Sequence, residues 1–224
     1  FMMGRKFEEG DWADVYCKAR NIENKGWSNL NIDITTKNQG IEHKMLCVRQ
    51  SNILSVCGCT LMHPSATRSI RLPSLDSDPN DAMVDILKQY ADFLESRRKK
   101  VLEESPQYNE ADMRTGWLLW SENLHEFLYF EEKTQIPNPD DYTAVWVENK
   151  PKGARKPSKN LWIYEKSTGK KRYSVTTTAG AKIQPYFDVP PIGTPGLYHF
   201  VVIGERLLDD SVRTVSYTHL TLPT

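Results

Sequence analysis

Residues 30–48 restrict the fold of this chain more than any other stretch. Leu30 to Thr36 is rich in β-branched residues, Lys37-Asn38-Gln39-Gly40 has turn chemistry, and Ile41 to Val48 resumes an apolar run. Strand, turn and strand is the economical reading. Side chains alternate between faces along a strand, so Glu42 and Lys44 share a face. If Asn38-Gln39 is the two-residue loop, Asp33 falls opposite Lys44. A loop at Gln39-Gly40 also keeps Asp33, Glu42 and Lys44 on one face, whereas a three-residue loop sends Asp33 to the other.

These residue types carry a recognisable chemistry. Two neighbouring carboxylates repel each other, and a hard divalent cation such as Mg2+ relieves that repulsion while using their oxygens as ligands. The cation polarises a phosphodiester and helps generate hydroxide from water, while a lysine ammonium steadies the water or the phosphate. Asp33 and Glu42 are the expected metal ligands and Lys44 the expected charge donor, with Mn2+ able to replace Mg2+.

Through Asp33, a short turn, and Glu42-His43-Lys44 within an apolar strand, the chain resembles the PD-(D/E)xK nuclease superfamily, which includes many type II restriction endonucleases. The resemblance covers roughly residues 5–50. It departs from the motif where Ile32 replaces a proline and where His43 replaces a more usual apolar residue. It implies an α/β (α+β) fold with a restriction-endonuclease-like mixed central sheet flanked by helices. It further implies Mg2+-dependent endonuclease activity on DNA and a homodimer for double-strand cleavage. In this family a leading helix often packs beside the hairpin and sometimes adds a glutamate, for which Glu9 is the candidate.

An E-x-K triplet alone is weak evidence, since Glu23-Asn24-Lys25, Glu131-Glu132-Lys133 and Glu148-Asn149-Lys150 repeat it. Only Glu42 has a strand-borne aspartate just upstream across a turn. The main rival is Asp112 with Glu131 and Lys133, because Leu124 to Lys133 also reads as a strand.

Elsewhere, Lys6 to Arg20 reads as a helix interrupted by Gly10. Asp78-Pro79-Asn80-Asp81 makes a strong helix start, and Met83, Ile86, Leu87, Tyr90, Phe93, Leu94, Val101 and Leu102 recur at helical spacing beyond it. Arg97-Arg98-Lys99-Lys100 is the expected solvated end of that helix. From Thr115 onward the pattern is β-rich, with hairpins expected around Ser121-Glu122-Asn123 and Lys166-Ser167-Thr168-Gly169-Lys170 and a strand over Tyr142 to Val147. One nuclease-like domain is expected over residues 1–214, with a catalytic core over about 5–105 and a basic β-rich part over about 115–205. Residues 215–224, VSYTHLTLPT, resemble a translated sequencing adaptor and are expected to be a non-native tail.

The chain has 29 basic and 29 acidic residues, yet residues 150–182 hold ten basic residues against the single acid Glu165, a net of +9. Such a segment attracts a polyanion. Lys156, Lys159, Lys170, Lys171 and Arg172 are the candidate nucleic-acid contacts, with Trp162, Tyr164 and Tyr173 able to stack on bases or to fill the core. A non-catalytic nucleic-acid-binding protein using this segment is the alternative to the nuclease. The spacing of Cys17, Cys47, Cys57 and Cys59 lacks paired C-x-x-C knuckles, so reduced thiols are expected in place of a zinc site. No apolar run approaches the roughly 20 residues of a membrane span, and a cytoplasmic protein is expected.

Overall fold

The computed structural model describes residues 8–26, 32–50, 52–63, 68–149, 158–177 and 181–201, with the side chains of residues 68 and 69 not described. Lys156 and the 215–224 tail lie outside the described residues. The described residues form two α-helices and two sheets, a mixed architecture made mostly of strands.

Helix α1 (Glu9–Arg20) begins at a reciprocal cap in which the Glu8 side chain and the Asp11 side chain satisfy each other's backbone N–H groups, and it ends at Asn21 in a left-handed conformation. Gly10 falls in the first turn, where it does not interrupt the helix. Helix α2 (Pro79–Glu104) starts behind Asp78, whose Oδ1 accepts from the Asn80 N–H at 2.8 Å. No helix among the described residues is long and apolar enough to cross a membrane.

The chain divides into two compact units, each assembled from separate segments: residues 1–59, 97–134 and 189–224 in the first, residues 60–96 and 135–188 in the second. The first contains β1 (Ile34–Thr36), β2 (Gln39–Val48), β5 (Asp112–Ser121), β6 (Glu126–Lys133) and β11 (Tyr198–Val201), adjacent in that order. β2 runs parallel to β5 and the other pairs are antiparallel. The sheet is therefore mixed. β5 and β6 belong to the same sheet as the Asp33–Lys44 hairpin, and not to the β-rich segment that follows them in sequence. A parallel partner needs a long crossover, so local pattern cannot reveal the pairing.

One face of this sheet is covered by α1, where Trp12, Tyr16 and Cys17 pack with Ile41, Leu118, Phe127 and Tyr129. On the other face Val101 of α2 packs with Ile32, Ala111 and Met113.

In the second unit, β3 (Thr60–Met62), β10 (Lys182–Asp188), β9 (Lys171–Thr176), β8 (Ser158–Glu165) and β7 (Tyr142–Asn149) are neighbours in that order, and β4 (Arg68–Ser69) also pairs with β10. Every pairing is antiparallel. Met83, Ile86, Leu87, Tyr90, Phe93 and Leu94 of α2 form its core with Ala144, Leu161, Ile163, Val175 and Ile183, which is the apolar stripe read from helical spacing.

Packing leaves no room for a side chain at Gly116 on β5, where an added Cβ would lie 2.6 Å from both His43 Cδ2 and the Tyr129 hydroxyl. We expect Gly116→Ala to cost about 1–3 kcal/mol of stability through overpacking. Urea unfolding of the two proteins checks this, with an unchanged midpoint counting against such packing.

Candidate active site

The hairpin turns one residue earlier than a loop at Asn38-Gln39 and two earlier than one at Gln39-Gly40. Ile34 pairs with Ile41, Thr35 with Gly40 and Thr36 with Gln39, which leaves Lys37-Asn38 as the loop. The cause is tertiary. The Asn38 carbonyl accepts from the Asp112 N–H at 2.8 Å, its side-chain amide donates to the Glu110 carbonyl at 3.0 Å, and the Ser105 hydroxyl donates to the Lys37 carbonyl. Lys37 takes the left-handed conformation, φ 50°.

This register points Asp33 toward Glu42, but β1 begins only at Ile34, and strict alternation does not pass through Asp33. Ile32 packs with Val101 and Met113, whereas Ile34 packs with Trp12 and Ile41, although the two are an even number apart. Asp33 occupies the irregular step between them. Its own N–H donates to the Ile41 carbonyl at 2.9 Å, and its Oδ2 accepts from the His43 N–H at 2.5 Å. A side-chain carboxylate thus takes a β2 N–H where β1 has ended.

Asp33 is an unusual aspartate. Burial pushes its pKa up to about 6, with the charges of Glu42 and Glu9 pushing the same way and the His43 N–H and Lys44 opposing. Glu42, Lys44 and Glu9 therefore all lie within electrostatic reach of Asp33.

Glu42 is 4% exposed, and both of its oxygens face cations: Oε1 lies 2.6 Å from Lys44 Nζ, and Oε2 accepts from Arg97 Nη1 at 2.6 Å. Burial raises its pKa, and the charges and hydrogen bonds of Arg97 and Lys44 more than offset this, so Glu42 stays below the ordinary carboxylate range. Arg97 was expected on a solvated helix end, but it is 2% exposed. The sequence carried a usable signal, because Arg97 falls four residues after Phe93 and four before Val101, on the buried stripe of α2. A cation on such a stripe calls for a buried carboxylate partner.

His43, between the two site residues, points to the opposite face. Its ring packs edge-on against Tyr16 and Tyr129, and burial, then Lys44, drives its pKa down to about 3. The imidazole is neutral and takes the place of an apolar residue. The Tyr129 hydroxyl donates to Glu131 Oε1 at 3.0 Å, so it accepts from His43 Nε2 at 3.3 Å, while Nδ1 has no hydrogen-bond partner among the described residues.

The rival trio is not assembled as a cation site. Arg114 links Asp112, through Nε at 2.8 Å, to Glu131, through Nη1 at 3.5 Å, and Glu131 Oε1 also accepts from the Tyr16 hydroxyl at 2.7 Å. Both carboxylates are already compensated by the Arg114 guanidinium, which strand alternation places on their face of β5 and β6.

The basic segment is also partly neutralised. Arg172 donates to Glu165 Oε2 at 3.2 Å and to Asp188 at 3.0 Å, and Lys170 shares Asp188 at 3.1 Å. Lys171 Nζ lies 3.5 Å from the Trp162 ring centroid and 5.0 Å from that of Tyr186. Lys159 approaches Asp76 at 3.9 Å. Tyr173 packs against the core of its sheet. The four cysteines are free thiols.

Among the described residues, no group of three or more His, Cys, Asp or Glu could hold a metal ion. A site here would rest on the two carboxylates Asp33 and Glu42. That donor set fits Mg2+, which keeps several of its waters and often takes only one or two protein carboxylates. Burial is the main cause of the raised Asp33 pKa, with Glu42 and Glu9 adding to it, and a cation beside the carboxylate would favour its charged form. Comparisons with family models, curated proteins and solved structures gave no match to this chain.

Two outcomes follow from the charges. Arg97→Met should cost about 3–5 kcal/mol because it leaves Glu42 buried beside half of its compensation, and Arg97→Met with Glu42→Leu should cost less than the single change. Chemical denaturation of the single and double variants measures both, and additive costs would argue against a coupled pair.

Asp33 sets a pH dependence. Its folded pKa of about 6 exceeds the ordinary 3.8, so its contribution to stability is present below pH 3.8 and is lost as pH rises through 6. His43, held near 3 against an ordinary 6.5, acts in the opposite sense, with stability present above pH 6.5 and lost as pH falls toward 3. Asp33→Asn keeps the acceptor for the His43 N–H. We expect the stability of the wild type relative to this variant to fall between pH 4 and 6 and to be flat above, measured by unfolding in a chelator. A constant difference would mean that Asp33 titrates normally.

Proposed function

We propose that this protein is a Mg2+-dependent endonuclease that hydrolyses phosphodiester bonds of DNA, with a restriction-endonuclease-like core. The observation that carries this reading is the hairpin of β1 and β2, which places Asp33 within reach of the charges of Glu42 and Lys44 on a strand inside a mixed sheet. The resemblance to the PD-(D/E)xK superfamily at the same three residues supports it, as does α1 covering one face of that sheet.

Asp33 and Glu42 would hold the cation, which when bound supplies charge stabilisation at the phosphate and an acidified water. The protein's own groups prepare this arrangement. The His43 N–H fixes the Asp33 carboxylate, and Arg97 fixes Glu42 in its ionised form. The Lys44 ammonium, on the same face as Glu42, is the group available to steady the attacking water or the developing charge on phosphorus. Glu9 influences Asp33 from the start of α1 and is an accessory acid at most.

Substrate contacts from Lys159, Lys170, Lys171 and Arg172 have weaker support than the hairpin, since each has a partner within the protein. Double-strand cleavage would need two such sites, which a homodimer supplies.

Plasmid cleavage tests the reading. In Mg2+, Asp33→Asn, Glu42→Gln and Lys44→Met should each lower the rate by at least about a hundredfold, the scale of losing a metal ligand or a transition-state charge. The chelated wild type should be inactive, and Lys133→Ala should cut normally. Cleavage that survives all three hairpin substitutions would exclude this site.

A further inference from the structure

We infer that Lys44 competes with the divalent cation for Glu42, so that the cation enters the site only by drawing the lysine away from Oε1. This rests on the reading of Asp33 and Glu42 as the metal ligands. Glu42 offers two oxygens, and both are engaged at 2.6 Å, Oε2 by Arg97 and Oε1 by Lys44. A cation that takes Glu42 as a ligand must displace one of them.

The two cations are not equally easy to move. The Arg97 side chain is 2% exposed and is carried by α2, and releasing it would take a carboxylate from a buried guanidinium that has no path to water. The Lys44 side chain is 16% exposed and hangs on a flexible four-carbon stem, so its ammonium can reach water without moving the strand. Oε1 is the oxygen that can be vacated.

Charge balance explains why a divalent ion wins. With both cations in place Glu42 is over-compensated, while the Asp33 carboxylate accepts from a backbone N–H and draws on the Lys44 charge against the repulsion of Glu42 and Glu9. Moving Lys44 off Oε1 opens an oxygen on the same hairpin as Asp33. A divalent ion would bring two positive charges to the two carboxylates where the ammonium brings one. The displaced Lys44 stays beside the site and free to face a phosphate, so metal entry and lysine deployment are one event.

Mn2+ binding to the full chain without DNA, followed by the loss of the free-ion electron paramagnetic resonance signal, tests this. Lys44→Met should bind Mn2+ roughly five- to twentyfold more tightly than the wild type, the scale of removing one partly buried competing ion pair. Lys44→Arg, which keeps the charge, should bind no more tightly than the wild type, and thermal unfolding confirms that each variant is folded. Equal or weaker binding by folded Lys44→Met overturns the competition. Undiminished binding by Glu42→Gln, or no binding by wild type and Lys44→Met alike, removes the metal-ligand reading itself.

Discussion

A buried carboxylate between two cations organises the first unit. Glu42 lies in the middle of β2, 4% exposed, and its ionised form is tolerable there only because Arg97 and Lys44 compensate it. Arg97 comes from the last turns of α2, so the ion pair ties the helix to the face of the sheet on which Val101 packs with Ile32 and Met113. It also ties together residues 55 positions apart in the chain. Removing either partner leaves the other buried with less compensation, which couples the placement of this end of α2 to the ionisation of Glu42.

The opposite face of the same strand is held differently. His43, Tyr16, Tyr129 and Trp12 interlock through ring contacts, and the two tyrosine hydroxyls are anchored on Glu131, which Arg114 compensates. Gly116 leaves no room for a methyl group beside them. β2 is thereby fixed from both sides. The His43 N–H that restrains Asp33 inherits that rigidity, which is what a site built from a few charged side chains requires.

Much of the secondary structure was legible because local rules govern it. The Asp78-Pro79 start and apolar stripe of α2, the strand–turn–strand around residue 38 and the β5–β6 and β8–β9 hairpins all follow from caps, turn residues and periodicity. The grouping of Glu42 with Lys44 follows from strand alternation alone. Arg97 was misread because four consecutive basic residues look like a solvated end, although helical spacing puts only one of them on the buried stripe. The net charge of the basic segment omits Asp188, which pairs with Lys170 and Arg172, because Asp188 lies beyond the segment in sequence and reaches it through the pairing of β10 with β9.

The sequence by itself determined which stretches become helices and strands and that one strand carries a glutamate and a lysine on the same face. Those properties depend on neighbours a few residues apart. Only the tertiary structure decided the loop at Lys37-Asn38, the irregular step that holds Asp33, the parallel pairing of β2 with β5, and the choice of Arg97 as partner to Glu42. Each of these is a contact between distant segments, set by where a buried charge or an unpaired backbone group finds its complement, and no local pattern encodes that.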